Sequence, residues 1–349
     1  MFKDKTCLVL GAGASRPYGF PTSNELRKLL LGIDTAKVLE ALQKGLSSKQ
    51  DRGKDGMNFP LHNLLHTDMI AAANHERPCL DLFRENFRLA ERVSIDAFIN
   101  GRPQEQGVND LGRIARDSVA AILLRVEKHS LLSGDWYQWL LEFILRDGKD
   151  FPADRLTVIT FNYDRSLERY LDQAFQYSYR LKPEEARAMR DRIKFIHVYG
   201  SLGDLNEVPW GNVEQQFAAA EKLSLANPRI EEERWEAVRK ALAEAERVIF
   251  MGFAFWKENL DALHDVHERT GRRILTPFQL GKTPADSWFR KKIFASRYGL
   301  WETTRKEVTE RFGFIHPTQN LKEAPKNLIQ WGEEHHDLWK FVTTVDLNE

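Results

Sequence analysis

Cysteine is nearly absent from this 349-residue chain: Cys7 and Cys79 are the whole complement. A scaffold stapled by several disulfides is excluded, and so is any zinc module built on paired Cys-x-x-Cys motifs. An excess of either charge is missing too. Lys plus Arg and Asp plus Glu both number 51, for a formal net charge of zero. Electrostatics therefore does not draw the whole chain onto nucleic acid or an anionic membrane. The most basic stretch, 180–194 (RLKPEEARAMRDRIK), is interrupted by acidic residues as a solvated helix face would be, and direct nucleic-acid binding is not expected. No apolar run reaches the length of a membrane span, and the opening M-F-K-D-K-T lacks the shape of a secretory leader. A cytoplasmic protein without membrane contact is the resulting expectation. Internal repeats and low-complexity segments are lacking as well.

What remains is an ordinary globular composition, 42% hydrophobic and 29% charged, sufficient for one large domain or two smaller ones. A strand-like Cys7-Leu8-Val9-Leu10 enters G-A-G-A-S at 11–15, and Thr22-Ser23-Asn24-Glu25 has the capping-box pattern that starts a leucine-rich helix. Over 37–150 the apolar residues recur at helical spacing: Leu39, Leu42 and Leu46, then Ile114, Val119, Ile122, Leu123 and Val126. Strand runs resume at Leu156–Phe161, Ile193–Tyr199, Val248–Phe253 and Ile274–Phe278. Helical patterns cover 165–177, 213–245 and 257–270. Strands alternating with helices predict an α/β fold, a Rossmann-like parallel sheet with helices on both faces plus a mostly helical insertion. The divisions are 1–36 with 151–300 for the sheet domain, 37–150 for the insertion, and 301–349 for a C-terminal helical extension carrying Trp331 and Trp339.

Several residue groups could carry chemistry. Gly11-Ala12-Gly13-Ala14-Ser15 lies where a parallel sheet presents a ligand, and its glycines would admit a pyrophosphate or simply form a tight turn. A dehydrogenase fingerprint would place Gly or Ala at 16, which is Arg16, and an acidic residue closing the second strand, whereas Asp34 follows a helical leucine run. Ordinary hydride transfer therefore fits poorly. Asn162-Tyr163-Asp164 either positions a ligand or caps a turn. His197 and Tyr199, two apart on a strand, would share one face at about 6–7 Å. An ordinary His titrates near ~6.5 and a Tyr near ~10, so His197 is the better base; the alternative is a satisfied core histidine beside a packing aromatic. His62 and His66 are spaced i, i+4 but lack a zinc-protease Glu and a third ligand, which favours a surface pair. His335-His336 carries less still, and Trp210, Trp235 and Trp256 read as core or cleft-lining residues.

Taken in order, the motifs resemble the sirtuin-like family, especially its divergent prokaryotic NAD-hydrolase branch associated with anti-phage defence. G-A-G-A-S with G-F-P at 19–21 is similar to that family's first cofactor loop, and T-F-N-Y-D at 160–164 to its TQN-x-D segment. G-S-L-G at 200–203 is similar to the segment after the catalytic His-Gly, M-G-F-A-F at 251–255 with Asn259 to the late cofactor loop, and S-I-D-A-F at 94–98 to a helical signature of the branch. In the family the histidine stands directly before the glycine; here that place is Tyr199, with His197 two residues earlier.

The resemblance implies NAD as bound substrate and no zinc. It implies NAD contacts from Gly11, Ala12, Gly13, Ala14, Ser15, Pro21, Thr22, Tyr199, Gly200, Ser201, Gly252, Phe253 and Asn259, and catalytic parts for His197, Asn162 and Asp164. The implied activity is that of an NAD+ glycohydrolase, releasing nicotinamide and ADP-ribose so as to deplete NAD in antiviral defence. Control would come from a homo-oligomer or from a partner defence protein such as an ATPase or helicase. Two alternatives stand beside it: an NAD- or ADP-ribose-binding regulatory module without turnover, and an NAD-dependent protein deacylase, against which the missing zinc module counts.

Overall fold

The computed structural model describes residues 4–50, 77–92, 94–100, 110–146, 148–224, 228–254, 259 and 292–295. The strand expected at 274–278, the helix at 257–270, Trp256, His62 with His66, and the extension 301–349 with its tryptophans and histidines lie outside the described residues.

Strand β1 (Thr6–Leu10) is buried at all five positions, as a strand covered on both faces must be. It is flanked by β2 (Leu156–Thr160) on one side and β4 (Arg247–Met251) on the other, with Thr6 opposite both Leu156 and Arg247. Outside these lie β3 (Lys194–His197) and β5 (Lys292–Ala295), giving an all-parallel sheet of order β3-β2-β1-β4-β5. The chain steps outward from β1 to β3, then returns to the far side of β1. That reversal is a topological switch point, where ligand crevices open beyond the carboxyl ends of the strands.

The fold is α/β and Rossmann-like, as the alternation of elements predicts. Strand ends fall slightly short of the apolar runs, most at β3, where Val198 and Tyr199 turn and Gly200 takes φ 78°. No apolar pattern announced β5.

Side-chain alternation along β1 assigns the two sheet faces. Leu8 and Leu10 join a cluster with Leu39, Phe83, Phe98, Ile122 and Trp136. Cys7 and Val9 join Ile159, Ile196, Val248 and Phe250 under Val238 and Leu242. The first cluster includes the helices that lie between β1 and β2 in sequence. Among the described residues these are α1 (Ala12–Ser15), α2 (Ser23–Leu31), α3 (Thr35–Gln50), α4 (Arg77–Leu89), α5 (Ile95–Asn100), α6 (Leu111–His129) and α7 (Asp135–Leu145). The capping box at α2 is realised: Thr22 Oγ1 accepts from the Glu25 amide, and the Glu25 carboxylate accepts from the Thr22 amide at 2.8 Å. Gly32, at φ 70°, ends that helix.

After β2 come α8 (Ser166–Tyr179) and α9 (Pro183–Arg190); after β3, α10 (Gln216–Lys222) and α11 (Pro228–Glu244). The helical pattern over 213–245 thus divides into two helices. No helix among the described residues is long and apolar enough to cross a membrane.

Candidate functional site

A narrow cleft, continuous with solvent, opens beyond the ends of β1 and β2, the place where a parallel sheet presents a ligand. Ala12, Pro21, Ser23 and Arg27 form one wall, Ser94 and Asp96 of α5 another, and Phe161 to Asp164 the floor.

The glycines behind this cleft serve a contact between backbones. The Gly11 amide donates to the Met251 carbonyl and the Gly13 amide to that of Gly252, both at 3.0 Å. A Cβ on Gly11 or Gly13 would stand 2.6 or 2.8 Å from Gly252 O, and one on Gly252, at φ 56°, would stand 2.0 Å from the Ala14 amide nitrogen. The loops after β1 and β4 therefore interlock through three missing side chains, and the two glycine amides are engaged there rather than turned to a ligand. The Trp136 indole, from α7, donates to the Ala14 carbonyl at 2.8 Å and braces the loop from behind.

The loop after β2 works through side chains. Asn162 donates from Nδ2 to the Gly11 carbonyl (3.0 Å) and to Ser15 Oγ (3.1 Å). Its Oδ1 is buried without a hydrogen-bond partner among the described residues. Tyr163 donates to Asp96 Oδ1. Asp164 Oδ1 accepts from Ser15 Oγ and the Ser166 amide, both at 3.1 Å, and from Ser166 Oγ, which in turn lies 2.6 Å from the Tyr137 hydroxyl. Burial pushes the Asp164 carboxyl above its ordinary value, and the bonds from Ser166 and Ser15 offset this only in part. Arg165 meets Glu127 of α6 in a two-point pair, Nε to Oε1 at 3.0 Å and Nη2 to Oε2 at 2.7 Å. The same guanidinium donates to the carbonyls of Gly203 and Val208. Four consecutive side chains are thus all fastened, Asn162 and Asp164 to Ser15 in common, Tyr163 to Asp96 and Arg165 to Glu127.

Two contacts and a turn define the setting of His197. It does not share a face with Tyr199, because β3 ends at His197 and the chain turns. Nor does it offer a free lone pair. Nδ1 lies 3.1 Å from the Asn162 carbonyl and Nε2 lies 2.6 Å from Glu168 Oε1. With Glu168 ionised, both partners are acceptors, an arrangement that suits a ring carrying a proton on each nitrogen. Burial alone would lower the His197 pKa, but the charge and hydrogen bond of Glu168 outweigh it and hold the ring above its ordinary value. Burial would raise Glu168, and the imidazolium outweighs that in turn, holding the carboxyl low. In this arrangement His197 ties the Asn162 backbone to Glu168.

The remaining expected residues fall into two groups. Ala12 and Pro21 line the cleft, with Gly11, Ser15 and Asp164 one hydrogen bond from Asn162 or Ser15. Tyr199 instead donates to Asn259 Oδ1 at 2.8 Å and packs edge-on to Phe161, whose ring also meets Phe253. Gly200 pairs with Leu223, where a Cβ would stand 2.4 Å from Lys222 O. Ser201 accepts from the Gly203 amide, and Thr22 is occupied as the cap of α2. Sequence reasoning missed Ser23, Arg27 and Asp96 in the cleft wall, and the carboxylates Glu127 and Glu168 behind it. Only Asp96 left a signal, inside S-I-D-A-F.

The residue types that line the cleft match parts of NAD. The unpartnered Asn162 oxygen can accept from a ribose hydroxyl or carboxamide, Arg27 offers a cation for a pyrophosphate, and Phe20, Leu26 and Phe161 supply apolar walls. Residues 156–297 match the family model described as a SIR2-like domain. The match supports a sirtuin-like family and an NAD-related activity, such domains being NAD-binding and usually NAD-dependent enzymes. It begins at the first residue of β2, so the glycine loop lies outside the matched span and is tied to it by the hydrogen bonds of Asn162. A search of curated proteins finds no match.

Proposed function

We propose that this chain is an NAD+ glycohydrolase that cleaves NAD+ to nicotinamide and ADP-ribose, and that it depletes NAD as an anti-phage defence effector. The observation that carries the reading is the buried, unpartnered Oδ1 of Asn162 in the wall of a cleft at the switch point of the sheet. Gly11 and Ser15 accept from its carboxamide nitrogen, which leaves the oxygen as the acceptor we assign to the ribose or the nicotinamide amide.

Cleavage breaks the bond between nicotinamide nitrogen and ribose carbon, with the electron pair leaving on nicotinamide. Water adds its oxygen to that carbon and releases one proton. The leaving group is already good, so positioning contributes more than base strength. Asp164 orients Ser15, and through it Asn162; His197, held by Glu168, fixes the Asn162 backbone. Ala12, Pro21 and Arg27 are assigned to the pyrophosphate side. Tyr199, Gly200, Ser201, Gly252, Phe253 and Asn259 are assigned to enclosing the substrate.

The family resemblance supplies the rest of the proposal. The NAD-binding domain comprises 1–36 and 151–300, with 37–150 inserted and 301–349 as an extension. The protein acts in the cytoplasm without zinc, and a homo-oligomer or a partner ATPase or helicase restrains an activity that would be toxic if constant. Incubating the purified protein with NAD and following nicotinamide tests the reaction. Release is expected, and Asn162→Ala should lower it by about 100-fold or more. Absence of turnover in every oligomeric and partner-bound state would overturn the proposal.

The full engagement of both His197 nitrogens favours a second reading, an NAD- or ADP-ribose-binding regulatory module. It predicts saturable binding with no nicotinamide released. A deacylase would require NAD consumption dependent on an acyl-peptide, and the missing zinc module counts against it.

A further inference from the structure

The cleft wall contributed by the helical insertion holds a carboxylate that the scheme above leaves unused. Ser94 caps α5, accepting from the Ala97 amide at 3.1 Å. Ile95, Phe98 and Ile99 are buried at the i, i+3, i+4 spacing of an inward stripe. Asp96, one position off that stripe, stands instead in the cleft wall beside Asn162 and Tyr163. The Tyr163 hydroxyl donates to its Oδ1. Burial, with the neighbouring Asp96 charge, pushes Tyr163 well above the ordinary tyrosine value, so the hydroxyl keeps its proton and remains a donor. Tyr163 is adjacent to Asn162 in the chain, so its hydrogen bond ties the Asp96 carboxylate to the loop that carries the carboxamide. Asp164, the other wall carboxylate, is held by Ser15 and Ser166 in the network behind the cleft.

We propose that Asp96 is the carboxylate that meets the positively charged nicotinamide–ribose end of NAD+, which makes the helical insertion part of the active site. The inference rests on the NAD-cleaving reading of this cleft. As the nicotinamide bond stretches, positive charge grows on the ribose carbon and ring oxygen, and a fixed anion stabilises that charge more than it stabilises the ground state. Asp96 forms no bond and takes no proton in the step. Tyr163 is a positioning residue acting through it. The same charge confers specificity, because NADH and ADP-ribose carry no cation at that end.

The test combines turnover with binding, using Asp96→Asn, Asp96→Glu and Tyr163→Phe in the full chain. Asp96→Asn should lower kcat by about 100-fold while ADP-ribose affinity stays within about threefold. Asp96→Glu should recover part of the loss, and Tyr163→Phe should cost about 3–10-fold in kcat. The preference for NAD+ over NADH, measured by calorimetry in an Asn162→Ala background, should fall about fivefold or more with Asp96→Asn. Wild-type turnover in Asp96→Asn, alongside a dead Asn162→Ala, overturns the role of Asp96 and leaves the cleavage reading standing. So does a joint fall of ADP-ribose affinity, thermal stability and activity that Asp96→Glu fails to relieve. A wild-type chain that binds NAD without releasing nicotinamide overturns the cleavage reading instead. The affinity preference then decides Asp96 alone, and an unchanged preference rejects it.

Discussion

The loops that follow β1 and β2 lie side by side at one end of the sheet, and they are built on opposite rules. Gly11 to Ser15 works by missing atoms: each glycine leaves room for the backbone of the β4 loop. Asn162 to Arg165 works by present atoms, with each side chain hydrogen-bonded to another part of the chain. The first loop tolerates almost no side chain at its glycines, whatever its chemistry. The second tolerates changes of size better than changes of hydrogen-bonding type. A binding site here needs both: a backbone frame closed to within a few ångströms, and polar groups hung on it at set angles.

The comparison can be broken first at its most strongly held side chain. The Arg165 and Glu127 side chains are 2% and 0% exposed. Glu127→Ala leaves a buried guanidinium without its counter-charge and should cost about 3–5 kcal/mol, read by urea denaturation. A loss under about 1 kcal/mol would mean that the carbonyls of Gly203 and Val208 alone hold Arg165.

The glycine loop is tested next by two substitutions that separate conformation from space. Gly252 and Gly148 have φ of 56° and 65°, but a Cβ at 252 meets backbone at 2.0 Å, whereas one at 148 meets nothing within 4 Å. Gly148→Ala should cost about 1 kcal/mol for its left-handed backbone alone. Gly252→Ala should cost about 2–4 kcal/mol, the excess being steric. Equal losses at the two sites would show that the loops are not interlocked as described.

The smallest effect concerns His197 and Glu168. A raised histidine pKa contributes stability that is full below the ordinary value of 6.5 and is lost as pH climbs through the folded value. A lowered glutamate pKa contributes stability that is full above the ordinary 4.5 and is lost as pH falls through the folded value. Both contributions are present together between those two values. The stability advantage of wild type over His197→Gln should therefore be larger near about pH 5.5 than near about pH 8.5. An advantage that does not change between the two would argue that the ring is held as a neutral imidazole.

Much of the frame was legible because it rests on local rules. The buried run Cys7–Leu10, the capping box at Thr22 and the alternation of strands with helices each have a short-range cause. The site was less legible because its decisive contacts are long-range. Glu127 and Arg165 are 38 residues apart, and Glu168 and His197 are 29 apart; neither pair has a spacing that a helix or hairpin would announce. His197 illustrates what such contacts add. Its place on a strand-like run and its ordinary pKa argued for a base, while the two acceptors that occupy its nitrogens come from a helix and a loop elsewhere. The glycines carry a similar lesson: a sequence records that a side chain is absent, and only the fold identifies what stands in the space.

The central pairing of the sheet joins Thr6–Leu10 to Leu156–Thr160, with the whole helical insertion between them. During synthesis, the first strand must wait until the ribosome has delivered the second, roughly 8–30 s at about 5–20 residues per second. Throughout that interval T-C-L-V-L is an apolar strand with both edges open, the kind of segment that pairs with the wrong neighbour. In the completed fold Leu8 and Leu10, the side chains such an open strand would expose, share one buried cluster with Leu39, Phe83 and Ile122 of the intervening helices.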